Sequence, residues 1–247
     1  MAVGTFDSIR VVLKSEVFSS SLFCALALGS IPAGAQVHVS AVISTDGLGK
    51  VSVEYGQNLI AALGTEAHQP MQAVVEPNER SVVNFRAGLH QVIVGRQATF
   101  DQVAPGSHRV STPIMSMDYM AVSAVPLLKL QQWGDLRNLS VGYVFGNRYV
   151  MKAIEGIARR TEAAPTSLAC LAMAAQRRVD ICVVGISPHI SRPDRVDGVK
   201  LYDSKVDSVE LYIWTHPDYG PLAEQLNAAL QTLYLRGEIG RLQARAD

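Results

Sequence analysis

Two rhythms of apolar residues alternate along this chain, and the switches between them lay out its elements. Residues 37–43, Val-His-Val-Ser-Ala-Val-Ile, form a β-rich run that ends in the polar turn Ser44-Thr45-Asp46-Gly47. Residues 54–63 then follow a helical period, with Tyr55, Leu59, Ala62 and Leu63 on one face and Gly64 closing the helix. A second strand is predicted over 71–76, and Pro77-Asn78 begins a helix that runs to Ala87 and stops at Gly88. Residues 89–95 read as a third strand. The resulting β-α-β-α-β order predicts a mainly parallel sheet with right-handed crossovers.

Residues 96–107 are polar, contain Pro105-Gly106 and read as a loop. The Met-rich apolar stretch 110–126 is broken by Pro113 and Pro126, so its middle is predicted as an extended strand leaving the first domain. A second βα series follows. It comprises a strand over 140–144, a helix over 148–158, a helix from Pro165-Thr166 to Gln176, and a strand over 179–184 ended by Gly185-Ile186-Ser187-Pro188. A strand over 206–214, alternating through Val209, Leu211 and Ile213, can return the chain to the first domain. The last helix, 222–234, carries Leu222, Leu226, Ala229, Leu230 and Leu233 on one side, a core-packing face. The segment 85–95 echoes 175–185: helix end, tight polar turn, buried strand, Gly. Two such halves predict two similar lobes.

The N-terminus has a different pattern. Arg10 and Lys14 precede an apolar run over 17–28, and Ile31-Pro32-Ala33-Gly34-Ala35 offers small residues at both positions of an A-x-A cleavage site. Residues 1–35 therefore read as a cleaved secretory signal; the alternative is an uncleaved membrane anchor. The run is short and Ser-rich for a spanning helix, and Phe23 before Cys24 does not suit lipoprotein processing. Cleavage removes Cys24 and leaves Cys170 and Cys182, either a disulfide or two separate buried thiols. Composition adds one exclusion. With 22 basic and 22 acidic residues among 247, and no basic stripe, nothing is present to neutralise a nucleic-acid backbone.

One stretch carries candidate chemistry. Residues 140–144 turn straight into a helix through Phe145-Gly146-Asn147-Arg148, which directs first-turn N–H groups at an acceptor or anion. The six histidines show no metal-ligand spacing, and no nucleophile elbow or phosphate loop is present. Asp101 and Glu79 cannot be paired with any partner by sequence, so no catalytic pair and no cofactor are expected.

These segments resemble the periplasmic solute-binding proteins of type II topology, in particular the amino-acid-type family that feeds ABC importers. The resemblance rests on the order of 85–95, Ser111-Thr112-Pro113, Trp133-Gly134-Asp135-Leu136 leading into Val141-Gly142, Gly146-Asn147, Arg178-Val179-Asp180, and Leu226-Asn227-Ala228-Ala229-Leu230 before Arg236-Gly237-Glu238-Ile239. It implies an α/β, two-lobed periplasmic-binding-protein-like fold with two crossover strands, closing on a small ligand by hinge motion. Lobe I would comprise 36–122 and 213–247, and lobe II 123–212. The family's carboxylate-binding Arg would fall near Ala104, where none stands; Arg96 and Arg109 flank it as substitutes or as solvated surface arginines. The family's ammonium-binding acid would fall at Val184-Gly185-Ile186, where none stands either. His90 occupies the place of a usual strand-start Asp and reads as structural.

By the same resemblance the ligand-binding candidates are Thr45, Asp46, Gly95, Arg96, Gln97, Phe145, Gly146, Asn147, Arg148 and Ser187. Tyr119 is a stacking wall or core. The implied function is that of a monomeric periplasmic solute-binding protein capturing a small polar ligand, anionic if the arginines face it, for a membrane permease. A sensing or accessory protein of the same fold is the alternative, and a dehydratase-like enzyme a further one. A degenerate binder with no small ligand is the remaining reading.

Overall fold

The computed structural model describes residues 39–45, 50–126, 130–187 and 192–245. The expected signal at 1–35, Asp46 and Pro188 lie outside them. The first half of the chain forms β1 (Val39–Thr45), α1 (Lys50–Glu66), β2 (Met71–Pro77), α2 (Asn78–Arg86), β3 (Val92–Gln97), the short β4 (His108–Arg109) and the long β5 (Met115–Ser123). The second half forms β6 (Ser140–Val144), α3 (Arg148–Ile154), β7 (Arg160–Ala164), α4 (Ser167–Ala175), β8 (Ile181–Ile186), β9 (Arg195–Val196), β10 (Val199–Lys200), β11 (Tyr202–Thr215), α5 (Gly220–Leu235) and α6 (Glu238–Arg245).

Nine strands make one mixed sheet in the order β2-β1-β3-β11-β5-β8-β6-β7, with β4 pairing β11. At one end β1 lies parallel between β2 and β3; at the other, β6 lies parallel between β7 and β8. Between them β5 and β11 run antiparallel to each other, and β11 reaches β3 while β5 reaches β8. This is an α/β, two-lobed architecture of periplasmic-binding-protein type, with β5 and β11 as its two crossover strands. Each lobe buries both sheet faces. Tyr55, Leu59 and Leu63 of α1 pack with Leu226 and Leu230 of α5 on one side of the first lobe, and Phe85, Phe100 and Trp214 fill the other. In the second lobe α4 covers one face with Leu171 and Ala174, and α3 covers the other with Val150 and Ile154.

The structure extends or corrects several sequence expectations. Strand β3 continues through Arg96 and Gln97, which were expected in a loop. Helix α3 stops at Ile154, short of the expected Ala158, and Gly156 takes a φ of 71° just beyond it. β7 and the β9–β10 hairpin carry no strong apolar rhythm and were not foreseen; nor was α6, which is only eight residues long and sets Ile239 and Leu242 against the first-lobe core. The echo between the halves holds with a shift of one residue. Leu89 N–H bonds the Asn84 carbonyl as Arg178 N–H bonds that of Met173, and Gln91 N–H reaches Ser40 as Asp180 N–H reaches Ser140. Gln91, not His90, is therefore the counterpart of Asp180. His90 sits beside it, buried, with Nδ1 at 2.8 Å from Ser40 Oγ and Nε2 at 3.3 Å from Glu76.

A disulfide joins Cys170 on α4 to Cys182 on β8, with Cα atoms 5.7 Å apart. Gly142 makes room for it: a Cβ there would stand 3.2 Å from Cys170 Sγ and from Val179 Cγ2. Closing a short loop of 12-residue separation removes conformations from the unfolded chain, worth about 3 kcal/mol. Chemical denaturation of the oxidised protein against Cys170→Ala/Cys182→Ala should show a loss of that order, and adding reductant to the wild type should reproduce it.

Candidate functional site

Strand β3 reaches the middle of the molecule through a β-bulge. Tyr212 pairs with Arg96 and Ile213 with Val94, which leaves Gly95 as the extra residue, at a φ of 77° that favours glycine. The bulge turns Arg96 toward the start of α2. There its guanidinium donates to Asn78 Oδ1 and, at 2.6 Å, to Ser81 Oγ, and lies over the Phe100 ring. The next residue, Gln97, donates to the Tyr119 hydroxyl on β5 at 3.2 Å. β3 of one lobe thus touches both α2 and a crossover strand.

From the second lobe, the turn after β6 meets the same start of α2. Asn78 Nδ2 donates to the Gly146 carbonyl at 2.7 Å. Arg148 grips Glu79 with two bonds, Nε to Oε1 at 3.0 Å and Nη2 to Oε2 at 2.7 Å. The approach is close: a Cβ on Gly146 would lie 3.3 Å from Glu79 Cγ, and the residue's φ of 83° independently favours glycine. The hydrogen bonds from Arg148, outweighing some desolvation, hold the Glu79 carboxyl below its usual range, with the charges of Arg148 and Arg96 adding to the effect.

The turn's N–H groups are largely spent internally, which corrects the expectation of an open acceptor site. Arg148 N–H bonds the Gly146 carbonyl, Met151 N–H bonds the Asn147 carbonyl, and the Asn147 side chain takes the N–H of Val150. α3 is capped by its own asparagine.

Of the sequence candidates, Arg96, Gly146 and Arg148 come together around Asn78–Ser81, with Gly95 and Gln97 beside them on β3. Asn147 caps α3, while Phe145 points outward at 66% exposure. Ser187, just past β8, is buried. The backbone of Thr45 ends β1 opposite Pro77. Arg109, the other arginine weighed for the carboxylate, stacks on Tyr212 instead, and Ala104 is a core residue of the first lobe. No acid could enter at Gly185 without rearrangement, since a Cβ there would meet Met117 Sδ at 2.6 Å. Among the described residues no group of three or more His, Cys, Asp or Glu side chains gathers in a metal-binding arrangement.

Sequence reasoning missed Asn78 and Ser81, which looked like ordinary helix-start residues, and left Glu79 without a partner. It also missed a cluster beneath the crossover. Trp133, Tyr149 and Tyr119 pack with ring centroids 5.0 to 5.9 Å apart. Asp207 on β11 accepts from Trp133 Nε1 at 2.7 Å and from the Tyr149 hydroxyl. A second bulge aims it there, because Lys205 pairs with Met120 and Asp207 with Tyr119, leaving Val206 as the extra residue. Burial alone would raise the Asp207 carboxyl, but the bonds from Tyr149 and Trp133 outweigh it and the net shift is downward. Burial and the Asp207 carboxylate together push the Tyr149 hydroxyl well above its usual range.

No protein-family sequence model matches the chain, and no curated protein sequence matches it. Solved structures do match in fold. The amino acid ABC transporter substrate-binding protein AbpA from Streptococcus pneumoniae, bound to L-arginine, is 14% identical with a TM-score of 0.65, covering 85% of this chain and 94% of its own. The GluR0 ligand-binding core with L-glutamate is 14% identical with a TM-score of 0.66, covering 86% and 98%. A histidine kinase sensor domain with similarity to periplasmic binding proteins is 16% identical with a TM-score of 0.67, covering 84% and 95%. At these identities the likeness is one of fold. The chain has the fold of the amino-acid ABC transporter substrate-binding proteins.

Two outcomes test the geometry. Asp207→Ala leaves the Trp133 N–H and the Tyr149 hydroxyl without their acceptor and should cost about 2 kcal/mol in chemical denaturation. Asp180 is held below its ordinary range first by the N–H of Ser140 and then by its hydroxyl, against desolvation, with Arg159 and Arg160 assisting. Its contribution is full above the unfolded carboxyl's pKa of about 3.9 and is lost as pH falls through the lower folded value. The stability gap between wild type and Ser140→Ala should therefore narrow when denaturation is followed from pH 6 down toward about pH 2.

Proposed function

We propose that this chain is a solute-binding protein that takes a small polar ligand between its two lobes, with lobe I at 36–122 and 213–247 and lobe II at 123–212. The observation that carries this reading is convergence on one short segment: Arg96 at the end of β3 and Gly146 and Arg148 after β6 all meet Asn78–Ser81. Polar groups from both lobes face one another there, as a hinge-closing binder requires. The ligand would sit among Thr45, Asp46, Gly95, Arg96, Gln97, Asn147 and Ser187, with the Tyr119 hydroxyl beneath Gln97. Glu79 occupies Arg148, so an anion at that arginine would have to displace a carboxylate already held by two bonds. This favours a polar ligand held through neutral donors and acceptors over one anchored by a bare guanidinium. The fold's likeness to amino-acid binders supports an amino acid or similar metabolite as the class.

Delivery to an ABC importer from the periplasm is the role this reading assigns, after cleavage of residues 1–35. The likeness to a histidine kinase sensor domain supports a second role, in which closure is read by a membrane sensor rather than a permease. A neighbouring permease gene favours the first and a neighbouring kinase gene the second. Native mass spectrometry of the purified protein should reveal a co-purifying small molecule, and calorimetric titration with an amino-acid and organic-acid panel should give one-to-one binding. Turnover of a panel compound, or binding confined to apolar compounds, would overturn the reading.

A further inference from the structure

We infer that Asn78 and Glu79 of α2, with Gly146 and Arg148 of the β6–α3 turn, form a built-in latch that sets the balance between the open and closed lobes. This rests on the hinge-closing reading above. Two consecutive residues of one lobe bond residues of a single three-residue turn in the other, by contacts of different chemistry: an amide to a carbonyl at 2.7 Å and a two-bond ion pair. The amide is not left to rotate. Arg96 donates to Asn78 Oδ1 and so fixes which end of that side chain faces Gly146, while its other nitrogen is anchored on Ser81. Arg96 is thus a positioning residue for the latch. Gly146 completes it: its φ of 83° favours glycine, and a Cβ there would crowd Glu79 Cγ at 3.3 Å while touching Asn78 at 3.5 Å.

The latch is weak by construction, which suits a hinge. Its ion pair is partly open to water, with side-chain exposures of 50% for Arg148 and 33% for Glu79. A pair in that setting biases an equilibrium about two- to five-fold rather than locking it. Closure is then tunable: a ligand bound between the lobes needs to add only its own preference for the closed form. Salt screens such a pair, so the bias is also sensitive to ionic strength.

Hydrogen–deuterium exchange of the full oxidised chain, read by mass spectrometry, tests the inference without knowledge of the ligand. Glu79→Gln should raise amide exchange about two- to five-fold both in peptides spanning 78–86 and, across the lobes, in those spanning 146–154. High salt should reproduce the effect in the wild type and add little in the variant. The charge swap Glu79→Arg/Arg148→Glu should restore protection in both peptides. Asn78→Ala should open the same two segments by the second contact. Small-angle scattering of the same samples should show the radius of gyration rising and falling with exchange. Exchange confined to 78–86, or a swap that fails to restore 146–154 in a protein with native circular dichroism, would overturn the latch. Ligand binding by the titration above is a separate readout, so either idea can fail while the other stands.

Discussion

The antiparallel pairing of β5 with β11 is the constraint on which the rest of the structure depends. β11 is 14 residues long and β5 is nine, and together they carry one continuous sheet from the first lobe to the second. Its ladders are interrupted by two bulges, one at Gly95 on β3 and one at Val206 on β11. Each also redirects a side chain, Arg96 toward α2 and Asp207 toward the aromatic cluster. Loss of regular pairing and the placement of these two side chains are in this molecule the same event.

The aromatic cluster shows why these side chains had to be turned inward. Asp207 is a carboxylate partly removed from water, a costly arrangement unless donors replace the lost hydration. Trp133 and Tyr149 supply them, and in doing so they tie the loop before β6 and the first turn of α3 to β11. The residue preceding Tyr149 is Arg148, which meets Glu79. A chain of contacts therefore runs from the crossover strand through α3 to the facing lobe: Asp207 to Tyr149 by a hydrogen bond, Tyr149 to Arg148 through the backbone, and Arg148 to Glu79 by two more hydrogen bonds.

Departures from the amino-acid-binder pattern share a physical origin. The position expected to carry the carboxylate-binding arginine is Ala104, packed in the core with Phe100 and Trp214, where a guanidinium would be buried without a partner. The position expected to carry the ammonium-binding acid is closed by Met117 and Tyr119 against Gly185. Both places are filled by apolar packing. Between the lobes, the described arginines Arg96 and Arg148 are already paired with groups of α2, and this shapes the class of ligand proposed for the chain.

The α/β class, the two repeated halves and most core faces were legible in the sequence because they depend on local periodicity. Leu59 and Leu63, or Leu226 and Leu230, recur at helical spacing whatever they pack against. The helix-to-strand turns were legible for the same reason, although the one-residue offset between Gln91 and Asp180 became visible only from sheet register, which depends on partners 40 to 51 positions away. Glu79 and Arg148 are 69 residues apart, and Trp133 and Asp207 are 74 apart. Neither pair leaves any periodic trace. The sequence by itself determined the strongly periodic helices and strands and their buried faces, but not the short β7, β9, β10 and α6. Tertiary structure alone decided that Arg148 meets a carboxylate of the same chain, because that contact joins residues 69 positions apart and exists only once the shared sheet has brought the two lobes face to face.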